Sequence, residues 1–189
     1  MTDFNQAFQK VIIQMEGNYS NDKNDSGGET VWGLTRKDDS DWPGWAIVDQ
    51  YRNKIGYPNN LPFDQLADLA KPYWKKKAWH YARLNQYPDQ SLADKVFRIS
   101  VNMGKFWAIA FLQRSFNVLN RRASYYFDLK VDGVAGPKTL SAVLAYNAHE
   151  GNTKNLLTAV TGLQISRYIP LGEANEKLED FENGWLNAI

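Results

Sequence analysis

A short helical pattern that ends at a glycine, followed by a long run of turn-forming residues, constrains this chain most. Thr2 or Asp3 can cap the start of the helix, and Gly17 can end it in a left-handed conformation. Residues 17–35 supply Gly, Asn, Asp and Ser in place of a second helix, so the chain must fold back close to the helix end. This pattern predicts one wall of a cleft. The apolar positions at helical spacing are Phe4, Ala7, Phe8, Val11, Ile12 and Met15.

Glu16 occupies the last turn of this predicted helix. Unpaired carbonyl groups and the negative end of the helix dipole lie there, and both raise the proton affinity of a carboxylate. A general acid needs a carboxyl group of this kind. Glu16 is therefore the first candidate for a catalytic residue.

The residues from Glu16 onwards follow a known motif. The segments that carry it are Glu-Gly-Asn-Tyr at 16–19, Asn-Asp at 21–22, Asp25, Gly-Gly at 27–28, Thr30 and Gly-Leu-Thr at 33–35. They resemble the signature of glycoside hydrolase family 108, the N-acetylmuramidases of phage endolysins and bacterial lysozyme-like proteins. The spacing of Glu16, Asp25 and Thr30 is also similar to the Glu, Asp, Thr constellation of the phage-type lysozymes of family 24. Asn18 and Leu34 replace the usual glycine and isoleucine without removing a chemical group.

The second half of the chain resembles the C-terminal region of the same family, which is similar to a peptidoglycan-binding module. Ala188 stands where family members often carry an arginine. The turn at 132–137 resembles that of peptidoglycan-binding modules, and it is equally a good helix start with Pro137 at the first position. The resemblance implies a lysozyme-like catalytic region over 1–105 and a helical region over 106–189, packed into one globular unit. The matching segments are 102–104, 112–113, 131–140 and 181–185.

The resemblance also implies roles for the motif residues. Glycoside cleavage requires an acid that protonates the leaving oxygen, together with a nucleophile or a positioned water on the other face of the sugar. Glu16 fits the acid, although a lone glutamate before a glycine would otherwise be an ordinary surface residue. Asp25 is the candidate that stabilises positive charge, and Thr30 is the candidate that orients water. Asp25 is alternatively an Asx-turn residue, and Asp22 and Glu29 are lesser candidates for the second carboxylate.

Sugar contacts are predicted at four residues. Tyr19 and Trp32 lie in or beside the motif. Asn102 begins the matching Asn-x-Gly segment at 102–104, and Trp107 follows that segment. Sugar rings present apolar faces that stack on aromatic rings, and 14% of this chain is aromatic. Trp107 is equally well explained as a core residue.

The periodicity predicts a mostly α fold with a small β-hairpin after the first helix, and the resemblance implies that this helical fold is lysozyme-like. Asp41-Trp42-Pro43 is typical of a helix start, and Pro72 predicts a kink in a later helix. Strand signals are confined to residues 29–32, with a partner near Tyr19.

Composition argues against several classes of function. A net charge of +1 is too small to attract nucleic acid to the protein as a whole. The run Lys75-Lys76-Lys77 is typical of the solvent-exposed face of a helix. The chain has no cysteine, and His80 and His149 lack a partner at ligand spacing, so no metal and no cofactor are implied. The polar residues before Gly27 alternate as calcium ligands do in an EF-hand loop. Gly33 occupies the position at which such a loop has its bidentate glutamate, so the sequence does not predict an EF-hand.

The resemblance implies a cofactor-free muramidase that hydrolyses the β-1,4 bond between N-acetylmuramic acid and N-acetylglucosamine, and the chain looks most like a phage endolysin. We expect a monomer whose partner is peptidoglycan, without stable membrane association. The expected protein has no signal peptide, is made in the host cytoplasm and acts in the periplasm or cell wall. The alternatives are a lytic transglycosylase and a non-catalytic peptidoglycan-binding or secretion-associated protein. Whether the configuration at the anomeric carbon is inverted or retained depends on the distance between the two catalytic carboxyl groups, which the sequence does not give.

Overall fold

The computed structural model describes residues 1–22, 27–187 and 189, and the chain forms two compact units. The large unit comprises Met1–Ala7 and Ala78–Ile189, and the small unit comprises Phe8–Lys77. Helices dominate the described residues, which confirms the predicted mostly α fold. No helix in this described part is both long and apolar enough to cross a membrane.

The secondary structure elements are numbered in chain order. The α-helices are α1 (Phe4–Phe8), α2 (Gly44–Tyr51), α3 (Phe63–Trp74), α4 (Gln90–Asn102), α5 (Lys105–Leu119), α6 (Pro137–Glu150), α7 (Lys154–Ala174) and α8 (Glu179–Asn187). The strands are β1 (Tyr19–Ser20), β2 (Thr30–Val31) and β3 (Leu34–Thr35). Two segments are π-helical, Gln9–Glu16 and Lys75–His80, and two are short 3₁₀ turns, Leu84–Gln86 and Glu176–Leu178.

The first helical pattern ends at Glu16 as predicted, but most of it is not α-helical. The α-helix stops at Phe8, and Gln9–Glu16 is wound as a π-helix. Gly17 has the predicted positive φ, at 76°, but its ψ of 166° is extended rather than left-handed helical. The extended ψ follows from the chain's entry into β1 two residues later. Short π-helical segments are rare in proteins and are frequent at functional sites.

The predicted hairpin is part of a three-stranded antiparallel sheet with the order β1-β2-β3. The third strand follows a two-residue turn in which Trp32 has φ 50° and Gly33 has φ 75°. Positive φ at both central residues is the geometry of the hairpin turn that matches the twist of the strands. Sequence reasoning missed β3 because a tryptophan rarely adopts positive φ.

The core of the small unit is built from tryptophans on and around α2 and α3. Trp74 donates its indole hydrogen to the carbonyl oxygen of Trp32 at 2.9 Å, and Trp45 donates to Asp39 O at 2.7 Å. The helix predicted after Pro43 is α2, which begins at Gly44. A Cβ on Gly44 would lie 2.2 Å from the Trp42 ring, so only glycine fits there.

The large unit is organised around α5, which packs against α4, α6 and α7, while α8 packs against α7. Its core is apolar and includes Phe97, Ile109, Phe116 and Val160. The buried side chain of Gln113 fixes the turn before α6. Its Oε1 accepts from the backbone N–H groups of Asp132 at 3.1 Å and Gly133 at 3.0 Å.

The same turn is further held by the Nε2 group of Gln113, which donates to Asp132 Oδ1 at 3.0 Å and to Val134 O at 3.1 Å. Pro137 then opens α6 at the first helical position. The turn therefore acts as a helix start, and direct contact of the turn with glycan stays a prediction.

Candidate active site

Glu16 is the last residue of the π-helical segment and is half-buried. Gly17 and Asn18 lead from it into β1, and the carbonyl oxygen of Asn18 accepts a hydrogen bond from Trp32 N at 3.4 Å. The chain that leaves Glu16 is thus tied to the end of β2. The helix end and the sheet together position the backbone that carries Glu16.

Thr30 lies on the middle strand, where Ser20 is its partner on β1 and Thr35 is its partner on β3. Directly opposed residues share a face of a sheet, so these three hydroxyl side chains form one row. Thr30 donates its hydroxyl hydrogen to Gly28 O at 3.0 Å. Because that hydrogen is engaged, the hydroxyl oxygen keeps its lone pairs to accept a hydrogen bond from a further donor.

Glu29, next to Thr30, lies at the centre of a charged cluster and is only 8% exposed. Arg36 Nε contacts its Oε2 at 2.5 Å, and Arg52 Nη2 contacts the same oxygen at 2.8 Å. Asp49 accepts from both arginines, at 2.8 Å from Arg36 Nη2 and 3.2 Å from Arg52 Nη2. Two guanidinium groups therefore neutralise a buried and an exposed carboxylate together.

Two tyrosines complete the Glu29 cluster, which we define as Glu29 with its four donors and Asp49. Tyr57 donates to Glu29 Oε1 at 2.7 Å, and Tyr19 donates to the same oxygen at 3.1 Å. Burial and then its hydrogen bonds raise the pKa of Tyr57, so the phenol stays protonated as a donor. The cluster links β1 to the residue that precedes β2.

The Glu29 carboxylate is held in its ionised form. Burial acts to raise the pKa of Glu29, but the hydrogen bonds that it accepts from Tyr57 and from the two arginines outweigh burial and hold the pKa below its ordinary value. Two of its four donors are guanidinium groups, and these neutralise the negative charge with which a second carboxylate would stabilise the sugar. The geometry of Glu29 therefore supports a structural role.

The remaining candidates have different surroundings. Trp32 is 8% exposed and donates to Phe63 O at 3.1 Å, so packing accounts for the position of its ring. Asp22 is exposed, and Asp25 lies outside the described residues. Asn102 is the half-buried last residue of α4.

The predicted residues fall into two groups. Glu16, Tyr19, Thr30 and Trp32 belong to the small unit, and Tyr19 and Thr30 lie on paired strands of one sheet. Asn102 and Trp107 belong to the large unit. Sugar contact by these residues stays a prediction.

Sequence reasoning missed the partners of Glu29. Arg36, Arg52 and Tyr57 are 7, 23 and 28 residues away from Glu29 along the chain. No local periodicity joins these positions, so no pattern in the sequence could have assembled them. Among residues 1–22, 27–187 and 189, no three His, Cys, Asp or Glu side chains come together as a metal-binding group.

Comparison with known proteins agrees with the resemblance drawn from the motif. The model of the family described as glycosyl hydrolase 108 matches residues 9–104, and that of a predicted peptidoglycan domain matches residues 107–189. The solved structure of SagA from Brucella abortus is similar in fold, with a TM-score of 0.61 and 17% identity over 97% of this chain and 87% of that chain. A search of curated proteins found no match. With half of its residues matched by the family model, this chain belongs to glycosyl hydrolase family 108 and carries a C-terminal peptidoglycan domain.

Proposed function

We propose that the protein is an N-acetylmuramidase that hydrolyses the β-1,4 bond between N-acetylmuramic acid and N-acetylglucosamine, with Glu16 as the general acid. The observation that carries the proposal is the tie between the chain leaving Glu16 and the strand that bears Thr30, through β1 and the Asn18–Trp32 hydrogen bond. This backbone connection holds the motif residues of the family on adjoining elements of the fold. The coarser activity, glycoside hydrolysis, follows from family membership.

In the proposed mechanism, Glu16 donates its proton to the leaving oxygen while the bond to the anomeric carbon breaks. Asp25 stabilises the positive charge that develops on the sugar. Thr30 orients the attacking water by accepting a hydrogen bond from it, because its own hydroxyl hydrogen is engaged by Gly28. The proton that this water loses as it bonds to the anomeric carbon passes to a carboxylate, to Asp25 if the reaction inverts or to the deprotonated Glu16 if it retains. The four donors around Glu29 engage its carboxylate, which favours Asp25 over Glu29 for the second role.

We assign catalysis to residues 1–105 and additional binding of peptidoglycan to residues 106–189, with Tyr19, Asn102 and Trp107 as sugar contacts. A family model for a peptidoglycan domain over residues 107–189 supports this division. We further propose that the protein acts as a phage endolysin, as a monomer on peptidoglycan.

The test is to digest purified peptidoglycan with the wild type, with Glu16→Gln and with Glu173→Gln, an exposed glutamate on α7 that serves as the matched control. Mass spectrometry of the products identifies the reaction. The proposal expects fragments with reducing-end N-acetylmuramic acid from the wild type and the control, and almost none from Glu16→Gln.

Other products would contradict the proposal in distinct ways. An anhydro sugar at the cleaved end would identify a lytic transglycosylase. Binding to peptidoglycan without any new reducing end would identify a non-catalytic binding protein.

A further inference from the structure

A pocket of about 270 Å³ lies between α5 and α7 in the large unit. Trp107, Phe111 and Arg114 line it from α5, and Ser166 and Arg167 line it from α7, with Leu163, Pro170 and Leu171 adding apolar surface. The volume lies just below that of ordinary small-molecule sites, which hold about 300–1,000 Å³. The pocket is therefore of a size to take one chemical group of a larger ligand.

Arg167 packs over an aromatic ring in this pocket. Its guanidinium carbon lies 3.7 Å from the centroid of the Trp107 ring, which is a close cation–π contact. The ring is itself packed against Phe111, with the two centroids 5.6 Å apart. A guanidinium over an aromatic ring still has N–H groups with which it can bind a planar carboxylate in a bidentate manner.

The charged side chains that line the pocket are all positive. Arg114 and Arg167 are its charged lining residues, and no acidic side chain lines it. Neither arginine forms an ion pair with any residue in the described part of the chain. By contrast, Arg36 and Arg52 in the small unit are both paired with carboxylates. The two pocket arginines are thus available for an external anion.

We propose that this pocket, which we call the α5–α7 pocket, binds a carboxylate of the peptide that branches from the glycan strand of peptidoglycan. This inference rests on the proposed function, because it takes peptidoglycan as the substrate. Peptide branches of peptidoglycan carry free carboxylates, whereas the N-acetylglucosamine units are neutral. In this proposal the Trp107 ring also orients Arg167.

The experiment measures binding by calorimetry with the full chain carrying Glu16→Gln, so that the probes stay intact. The probes are a disaccharide–tetrapeptide with free carboxylates, the same compound with its carboxylates converted to amides, and a neutral N-acetylglucosamine oligomer. We expect the acidic probe to bind about 10-fold or more tightly than its amide. Charge-assisted contacts of this type weaken as salt is raised, so the preference should shrink in high salt.

Variants of the pocket locate the effect. The double substitution Arg114→Gln with Arg167→Gln should abolish the preference for the acidic probe, whereas Arg122→Gln, at an exposed arginine of the same unit, should keep it. Trp107→Leu should reduce the preference by removing the ring that orients Arg167. Equal binding of acid and amide, or an unchanged preference in the double variant with an unchanged melting temperature, would overturn the inference.

Failure of the proposed function has a different signature. If the wild type releases no reducing ends from peptidoglycan but the preference for the acidic probe persists and depends on both arginines, the carboxylate site stands and the muramidase assignment fails. If the wild type cleaves peptidoglycan but shows no preference, the muramidase assignment stands and the α5–α7 pocket is not a carboxylate site.

Discussion

Replacing Glu29 with Gln is expected to destabilise the small unit through the Glu29 cluster. The substitution removes the negative charge that faces two guanidinium groups and leaves an amide among four hydrogen-bond donors. Breaking a fully buried ion pair by removing one partner costs about 3–5 kcal/mol. Here the side chains of Arg36 and Arg52 are 33% and 41% exposed, so solvent screens the charge left behind. Asp49 also remains to pair with both arginines, and we expect a loss of about 2–3 kcal/mol.

Thermal unfolding at neutral pH measures this loss. For a chain of this size, each kcal/mol lowers the melting temperature by about 2–4 °C, so Glu29→Gln should melt about 4–12 °C below the wild type. Glu173→Gln, at an exposed position, is the matched control and should melt close to the wild type.

The pH dependence of the difference provides a second test. Because the folded pKa of Glu29 is lowered, its stabilisation is fully present above the unfolded pKa of about 4.3 and is lost as pH falls through the folded pKa. The gap in stability between wild type and Glu29→Gln should therefore narrow only in acid. A variant as stable as the wild type at pH 7, or a gap that stays constant down to pH 3, would refute the reasoning.

Three further substitutions test the site and the core. Thr30→Val keeps the shape of the side chain but removes the proposed acceptor for water, so the rate should fall while Thr30→Ser keeps most of it; equal rates for both variants would contradict the role. Asp25→Asn should lower the rate by about 10²-fold at nearly unchanged stability, whereas a turn residue would instead lose about 1 kcal/mol of stability and keep its activity per folded molecule. Gly44→Ala forces a methyl group into the Trp42 ring and should cost about 1–3 kcal/mol, measured by urea unfolding; unchanged stability would show that the ring can move.

Sequence reasoning succeeded where local patterns decide the structure. The end of the first helical pattern at Glu16, the positive φ of Gly17 and the start of α2 after Pro43 all follow from short-range chemistry. The small sheet near Tyr19 was also found, because strand-forming residues lie together at residues 29–32.

The rest depended on contacts that no short window contains. The third strand requires Trp32 to adopt positive φ, against its local preference, and burial of the ring and its bond to Phe63 stabilise that conformation. The partners of Glu29 and the meeting of Arg114 with Arg167 are set by packing across elements. The apolar periodicity identifies the buried face of a helix but does not distinguish an α-helix from a π-helix. The π-helical form of Gln9–Glu16 could therefore not be predicted from it.

The central claim is that Glu16 supplies the proton for glycoside cleavage, and the rate of Glu16→Gln per folded molecule tests it most directly. The substitution keeps the shape of the side chain and removes the transferable proton. We expect release of reducing ends from purified peptidoglycan to fall by about 10²-fold or more at an unchanged melting temperature. A folded Glu16→Gln protein that cleaves peptidoglycan at close to the wild-type rate would contradict the assignment.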